Sequence, residues 1–181
     1  MLHFLKNLFQ LILSPAKGWE DVSADGRKPS VICRDGLYPL LGIYALSGFV
    51  QMFYNHDLTL VKALEGVIID FGTYFVSYFL GVLILGQLIG NIVSGEPNTR
   101  KIETVSAYAI GLLAMTGILE HCVPAGLTLL KLLPVFVALI IYKADRYLAV
   151  KPGDDIRYLA ISVVALVIVP LFIHYILALI I

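Results

Sequence analysis

The 181 residues carry no net charge; 59% are hydrophobic and 14% charged, where a soluble domain has about 45–50% apolar and 25% charged residues. That composition leaves no mass for a soluble catalytic or binding domain outside a membrane, and no nucleic-acid partner is expected.

Residues 2–13 place Leu5, Leu8, Phe9 and Ile12 at i, i+3, i+4, i+7, one apolar face of a helix. Lys6, Asn7 and Gln10 interrupt the run and no small-residue cleavage site follows, so it reads as a helix in the membrane interface and not as a cleaved leader. Ser14-Pro15 then has the form of an N-cap and first helical position. It predicts a second short helix through Val22, with Trp19 anchored at headgroup level. A flap packed under the bundle is favoured over a partner-recruiting helix.

Five apolar stretches follow: Leu37–Tyr54, Gly66–Val93, Val105–Cys122, Ala125–Tyr142 and Tyr158–Ile181. Each is near the roughly 20 residues that cross a core of about 30 Å. The second is long enough to tilt or project. Pro124 and Gly126 break the run between the third and fourth. The sequence therefore predicts an all-α polytopic membrane protein, with an interfacial amphipathic segment over 1–36 and a five-helix transmembrane bundle over 37–181.

Lysine and arginine set the orientation. Eleven of the thirteen fall in the N-terminal segment, the loop after the second span, and the loop after the fourth; only Lys62 and Lys131 belong to the other side. The N-terminus is thus expected in the cytoplasm and the C-terminus outside, as in a bacterial inner-membrane protein. Tyr38, Tyr142, Tyr147 and Tyr158 fall at the inner interface, Tyr54 and Tyr175 at the outer one, as an aromatic belt does. Cys33 and Cys122 lie on opposite sides and cannot bridge.

Small residues allow helices to approach closely in lipid. Ser77-x-x-x-Gly81, Gly86-x-x-x-Gly90 and Gly72 in the second span, with Ala107-x-x-x-Gly111 in the third, predict that these two spans form the tightest pair. A homodimer seam is the alternative. Pro134 and Pro170, inside the fourth and fifth spans, should free the carbonyls of Leu130 and Leu166.

Ionisable residues at membrane depth are functional hypotheses by default. Asp70, Lys131 and His174 form the candidate intramembrane polar cluster, with Asp70 expected to pair with Lys131 and His174 nearby. The plain alternative is that Lys131 snorkels outward and Asp70 is interfacial. His56, Asp57, Glu65, Glu120, His121 and Cys122 have metal-ligand chemistry but no spacing of a closed four-ligand site. No metal, cofactor or catalytic residue is assigned, since no His-Glu-x-x-His, Gly-x-Ser-x-Gly, phosphate loop or dinucleotide fingerprint occurs. Ser77 and His174, the nearest nucleophile–base pair, differ in depth.

Four stretches carry a resemblance. Residues 14–22 contain Pro15 and Trp19 in a P-x-x-x-W segment ahead of the first span. Asp35-Gly36-Leu37-Tyr38-Pro39-Leu40 looks like a variant of a DLYGP opening motif. Gly95 through Lys101, followed by Ala107-Tyr108-Ala109, is similar to a Gly-rich loop and a GYA opening of the third span. In order and spacing these resemble the Yip family of Ypt/Rab-interacting five-span membrane proteins, in its short prokaryotic branch. The match covers essentially the whole chain. The glycine of the opening motif is displaced to precede Leu37, and Ala107 replaces the glycine before Tyr108. The long acidic or Pro-rich cytoplasmic tail of eukaryotic members is missing, so a small-GTPase contact is not expected.

The resemblance implies that eukaryotic relatives act in membrane traffic by binding small GTPases and each other, and for prokaryotic members it implies no settled activity. Together with the amphipathic N-terminal helices and the small-residue faces, it points to a non-enzymatic membrane protein that organises the bilayer or binds partner membrane proteins, itself included. The alternative, from the residues alone, is a small transporter or an ion or proton pathway through Asp70, Lys131 and His174. No internal repeat supports that alternative.

Overall fold

The computed structural model describes residues 1–123 and 132–181. Among the described residues the chain is helical, and its nearest approach to a sheet is one isolated antiparallel bridge, Val93 with Val150.

Two short helices open the chain, α1 (Leu2–Leu13) and α2 (Pro15–Asp25). Pro15 starts α2 as expected, its missing N–H being one the first turn leaves unpaired anyway. Gly26 ends the helix in a left-handed conformation, φ 59°, which a residue without Cβ adopts cheaply.

The face of α1 that turns inward differs from the predicted one. Phe4, Asn7, Leu8 and Leu11 are buried, and Phe9 is exposed. The stripe is rotated because the Phe4 ring stacks on Tyr108 and lies against Gly36, where a side chain would collide with it. The headgroup anchor assigned to Trp19 is also corrected. This residue is 3% exposed, since α2 packs into the bundle and carries the indole with it.

Four helices are long and apolar enough to cross a membrane: α3 (Pro29–Phe53), α4 (Leu60–Asn91), α5 (Thr99–Cys122), and a last one, Asp155–Ile180. At about 1.5 Å per residue each exceeds a core of about 30 Å. Thr59 and Asn98 cap α4 and α5 by accepting from the backbone N–H of Lys62 and Lys101, as short polar side chains do at helix starts. Between α5 and the last helix lie α6 (Leu133–Tyr142) and the single turn α7 (Asp145–Leu148); the last helix is therefore α8. With ten residues α6 is only about 15 Å long. Residues 124–131, including the start of the expected fourth span, Leu130 and Lys131, lie outside the described residues. Pro134 is in the first turn of α6 and not in a helix interior.

The first span begins earlier than its apolar run, at Pro29, because a π-turn over Cys33–Leu37 carries the helix into Tyr38-Pro39. A second π-turn, Val164–Ile168, precedes Val169-Pro170 in α8. In both, the residue before proline donates to a carbonyl five residues back, Tyr38 to Cys33 and Val169 to Val164. A proline ring collides with the carbonyl four residues back, and one wider turn accommodates this without ending the helix.

The expected tight seam between the second and third spans is replaced by other close approaches. In α4, a methyl at Gly81 would stand 2.6 Å from Leu166 Cδ2 and one at Gly72 would stand 3.3 Å from Leu177 Cδ1, so this face receives α8. In α5, Gly111 receives the Phe4 ring of α1 and Gly117 the Tyr44 ring of α3. Gly86 has nothing against it. Aromatic rings, which need more room than backbone, fill the notches of α5.

The basic segments gather at one end. Ser94 N–H donates to the Ala149 carbonyl and Lys151 N–H to that of Ile92, both at 2.8 Å, joining the loop after α4 to the loop after α7. Gly95, φ 87°, turns the first loop. The last carbonyls of α6 lack helical partners and are capped from afar. Trp19 Nε1 donates to Ile140 and the Tyr158 hydroxyl to Ile141, each at 2.9 Å.

Candidate functional site

Of the proposed polar cluster, Asp70 is buried in α4, and its partners among the described residues come from α3 and α5. Tyr44 and Ser47 are three residues apart on α3 and so share a face. Gly48 follows, and its bare backbone borders the site, where a methyl would meet Asp70 and His121 at 3.8 and 3.9 Å. The Tyr44 hydroxyl donates to Asp70 Oδ1 at 3.0 Å. His121, in the last turn of α5, places Nε2 3.6 Å from Asp70 Oδ2, an ion pair when the ring holds both protons. Its imidazole stacks on the Tyr44 ring, centroids 5.1 Å apart and planes at 13°. Tyr74 of α4 packs on the other flank of Tyr44. Outside this network, the Tyr54 hydroxyl donates to the His121 carbonyl at 2.6 Å, capping α5 as Trp19 caps α6.

Ser47 Oγ lies 2.9 Å from His121 Nδ1 and also donates to the Tyr44 carbonyl at 2.6 Å. Serine, histidine and aspartate thus stand together, and which partner donates between Ser47 Oγ and Nδ1 follows from the tautomer of the ring. What the arrangement does chemically is hold a carboxylate among three helices with a hydroxyl and an imidazole as its partners.

His174 is on an exposed face of α8, within electrostatic reach of Asp70 but outside the hydrogen-bonded group. Lys131 lies outside the described residues. Ser77 is fully buried and its hydroxyl donates to the Thr73 carbonyl in its own helix. The acidic and histidine residues at the end away from the basic segments separate. His121 turns in to Asp70, while His56, Asp57 and Glu120 line an open depression of about 640 Å³ beyond Tyr54. Among the described residues no three His, Cys, Asp or Glu are placed to hold a metal. Cys33 is buried and Cys122 exposed, both free thiols.

The motif residues concentrate at the basic end. Trp19 stacks on Tyr147, centroids 5.6 Å apart, and meets Tyr108 edge-on. The Tyr108 hydroxyl accepts from Asn7 Nδ2 at 2.9 Å. Leu37 is fully buried and Tyr38 packs on Phe75. Asp35 is exposed and paired with Arg34 at 2.7 Å, and Pro39 is exposed behind the π-turn. Burial pushes the Tyr147 phenol up, against a hydrogen bond to Thr104 that lowers it, so it stays a neutral wall.

Tyr44, Ser47 and His121 as partners of Asp70 were not found from sequence. The signal was depth: His121 is one residue and Asp70 four residues from the outer ends of their predicted spans, so the two share a level.

Compared with protein-family models, curated proteins and solved structures, the chain matches none. Its class follows from the fold: an all-helical protein with four helices of membrane-crossing length.

Proposed function

We propose that this chain is a non-enzymatic, five-span membrane scaffold of Yip-like layout that binds other membrane proteins, or itself, through its apolar outer helices. The observation that carries the reading is that the buried carboxylate at membrane depth is held by neighbours, Asp70 by Tyr44 and His121, while α4 and α8 keep apolar faces outward.

A fifth crossing is supported by where the chain lies on either side of residues 124–131. Val123 lines the depression at the far end with Tyr54, whereas Tyr142 lies at the basic end beside Trp19 and Lys101. The convergence of three basic segments supports a cytoplasmic N-terminus and basic end, with the C-terminus outside.

A pathway reading draws on one observation: the outer depression adjoins the Asp70 group through Tyr54. Proton flux into liposomes holding the purified protein separates the two. The scaffold predicts no flux above empty vesicles, and none altered by Asp70→Asn. Flux abolished by that substitution would replace it. Crosslinking from a photoreactive residue at Leu171, exposed on α8, should capture membrane-protein neighbours or a second copy; capture of lipid alone counts against the scaffold. A thiol probe on Lys151→Cys should react only from the cytoplasmic side.

A further inference from the structure

At the basic end, α2, the start of α5 and the turn joining α6 to α7 enclose a pocket of about 340 Å³. Three cations line it: Lys101, Lys143 and Arg146. Among the described residues none of the three forms an ion pair. Aromatic faces hold two of them instead. Lys101 Nζ sits 5.3 Å from the Tyr147 ring centre, and Lys143 Nζ 5.3 Å from that of Tyr142. Such contacts position an ammonium without neutralising it. Lys101 is also in the first turn of α5, where the helix dipole adds positive potential. Trp19 and Tyr147 supply an apolar wall, and Glu20, Ser23 and Asp145 complete the lining.

We propose that this pocket binds the headgroup of an anionic, hydroxyl-bearing phospholipid such as phosphatidylglycerol. The three cations face the phosphodiester, and Glu20 and Asp145 accept from the glycerol hydroxyls. The pairing of three cations with two carboxylates fits a singly charged phosphodiester that brings donors. It disfavours free phosphate, whose second charge the carboxylates repel and which brings fewer donors. The setting agrees, since the pocket lies at the start of α5, a helix of membrane-crossing length, where headgroups would meet it. The proposal goes beyond the scaffold reading and does not depend on it.

Trp19 is the only tryptophan and lines the pocket, so its emission reports occupancy. Purified full-length protein in mixed micelles is titrated with phosphatidylglycerol, with phosphatidylcholine, and with inorganic phosphate. A saturable change with phosphatidylglycerol is expected, at about tenfold lower concentration than with phosphatidylcholine. Each cation near a charged lipid surface contributes about fivefold in affinity. Lys143→Gln, an exposed side chain whose loss leaves the core intact, should weaken binding about fivefold. The triple variant with Lys101→Gln and Arg146→Gln should weaken it further. Arg157→Gln, at the same end but outside the pocket, should not. The proposal fails if the two lipids titrate alike, if inorganic phosphate gives the same saturable change, if Lys143→Gln binds as the parent does, or if Arg157→Gln weakens binding as much as Lys143→Gln.

Discussion

α5 and α8 are both long and apolar enough to cross a membrane, yet they stand in opposite relation to the rest of the protein. The less hydrophobic, α5, with mean hydropathy 1.6, is 72% buried over its most apolar window; α8, at 2.8, is 17% buried. In water the more apolar helix would be the one inside. In a bilayer lipid is as apolar as leucine, so burial is not rewarded by hydrophobicity and helices associate through close packing and polar contacts. α5 has both: Gly111 and Gly117 under aromatic rings, and His121 against Asp70. α8 offers exposed Leu171, Phe172 and Leu179 and meets its neighbours at the glycines of α4 and, through Tyr158, at the end of α6. Between these two helices the higher hydropathy goes with the more exposed surface.

The largest test of that contrast concerns the two histidines. Asp70→Ala leaves the buried Tyr44 hydroxyl and the His121 ring without their acceptor, at a cost of about 3 kcal/mol, so it should sharply lower the melting temperature in detergent. In double-mutant cycles, His121→Ala on α5 should couple to Asp70→Ala by more than about 1 kcal/mol. His174→Ala on α8 should add to it within about 0.5 kcal/mol. Equal coupling to both would remove the distinction.

Gly117→Leu is next. It drives a side chain into the Tyr44 ring and should cost about 1–3 kcal/mol, read as a lowered unfolding midpoint in mixed micelles. Trp19→Phe keeps an aromatic ring but withdraws the donor to the Ile140 carbonyl, for about 1 kcal/mol; limited proteolysis should then cut between α1 and α3 sooner. The smallest effect is expected on α8. Leu171→Ala should change stability in detergent by less than about 0.5 kcal/mol, and a larger loss would mean that α8 is a core helix after all.

Much of the fold could be read from the chain directly. The apolar runs locate the C-terminal ends of α3, α4, α5 and α8 closely, while the first three helices begin well before their predicted starts; the pairing of Val93 with Val150 joins two loops that charge alone had put on one side. The site was legible in part. Asp70 stood out because a carboxylate in an apolar run is expensive; its assigned partner Lys131 lies outside the described residues, and the described partners, Tyr44 and His121, were not named for it. Tyr44 and Ser47 looked like ordinary span residues, and His121 like a member of a loose loop cluster. Likewise Trp19 carries an amphipathic signature that suits a headgroup anchor and a docked helix equally well.

The order of amino acids by itself determined that this is a helical membrane protein with a basic end, because transfer free energy and charge asymmetry accumulate along the chain and need no neighbours to be counted. Tertiary structure alone decided which faces meet: Phe4 and not Phe9 inward, α8 against the glycines of α4, His121 against Asp70. Those choices depend on the rotation of each helix about its axis, set jointly by ring packing, capping of distant carbonyls and two π-turns, and no single segment contains that information.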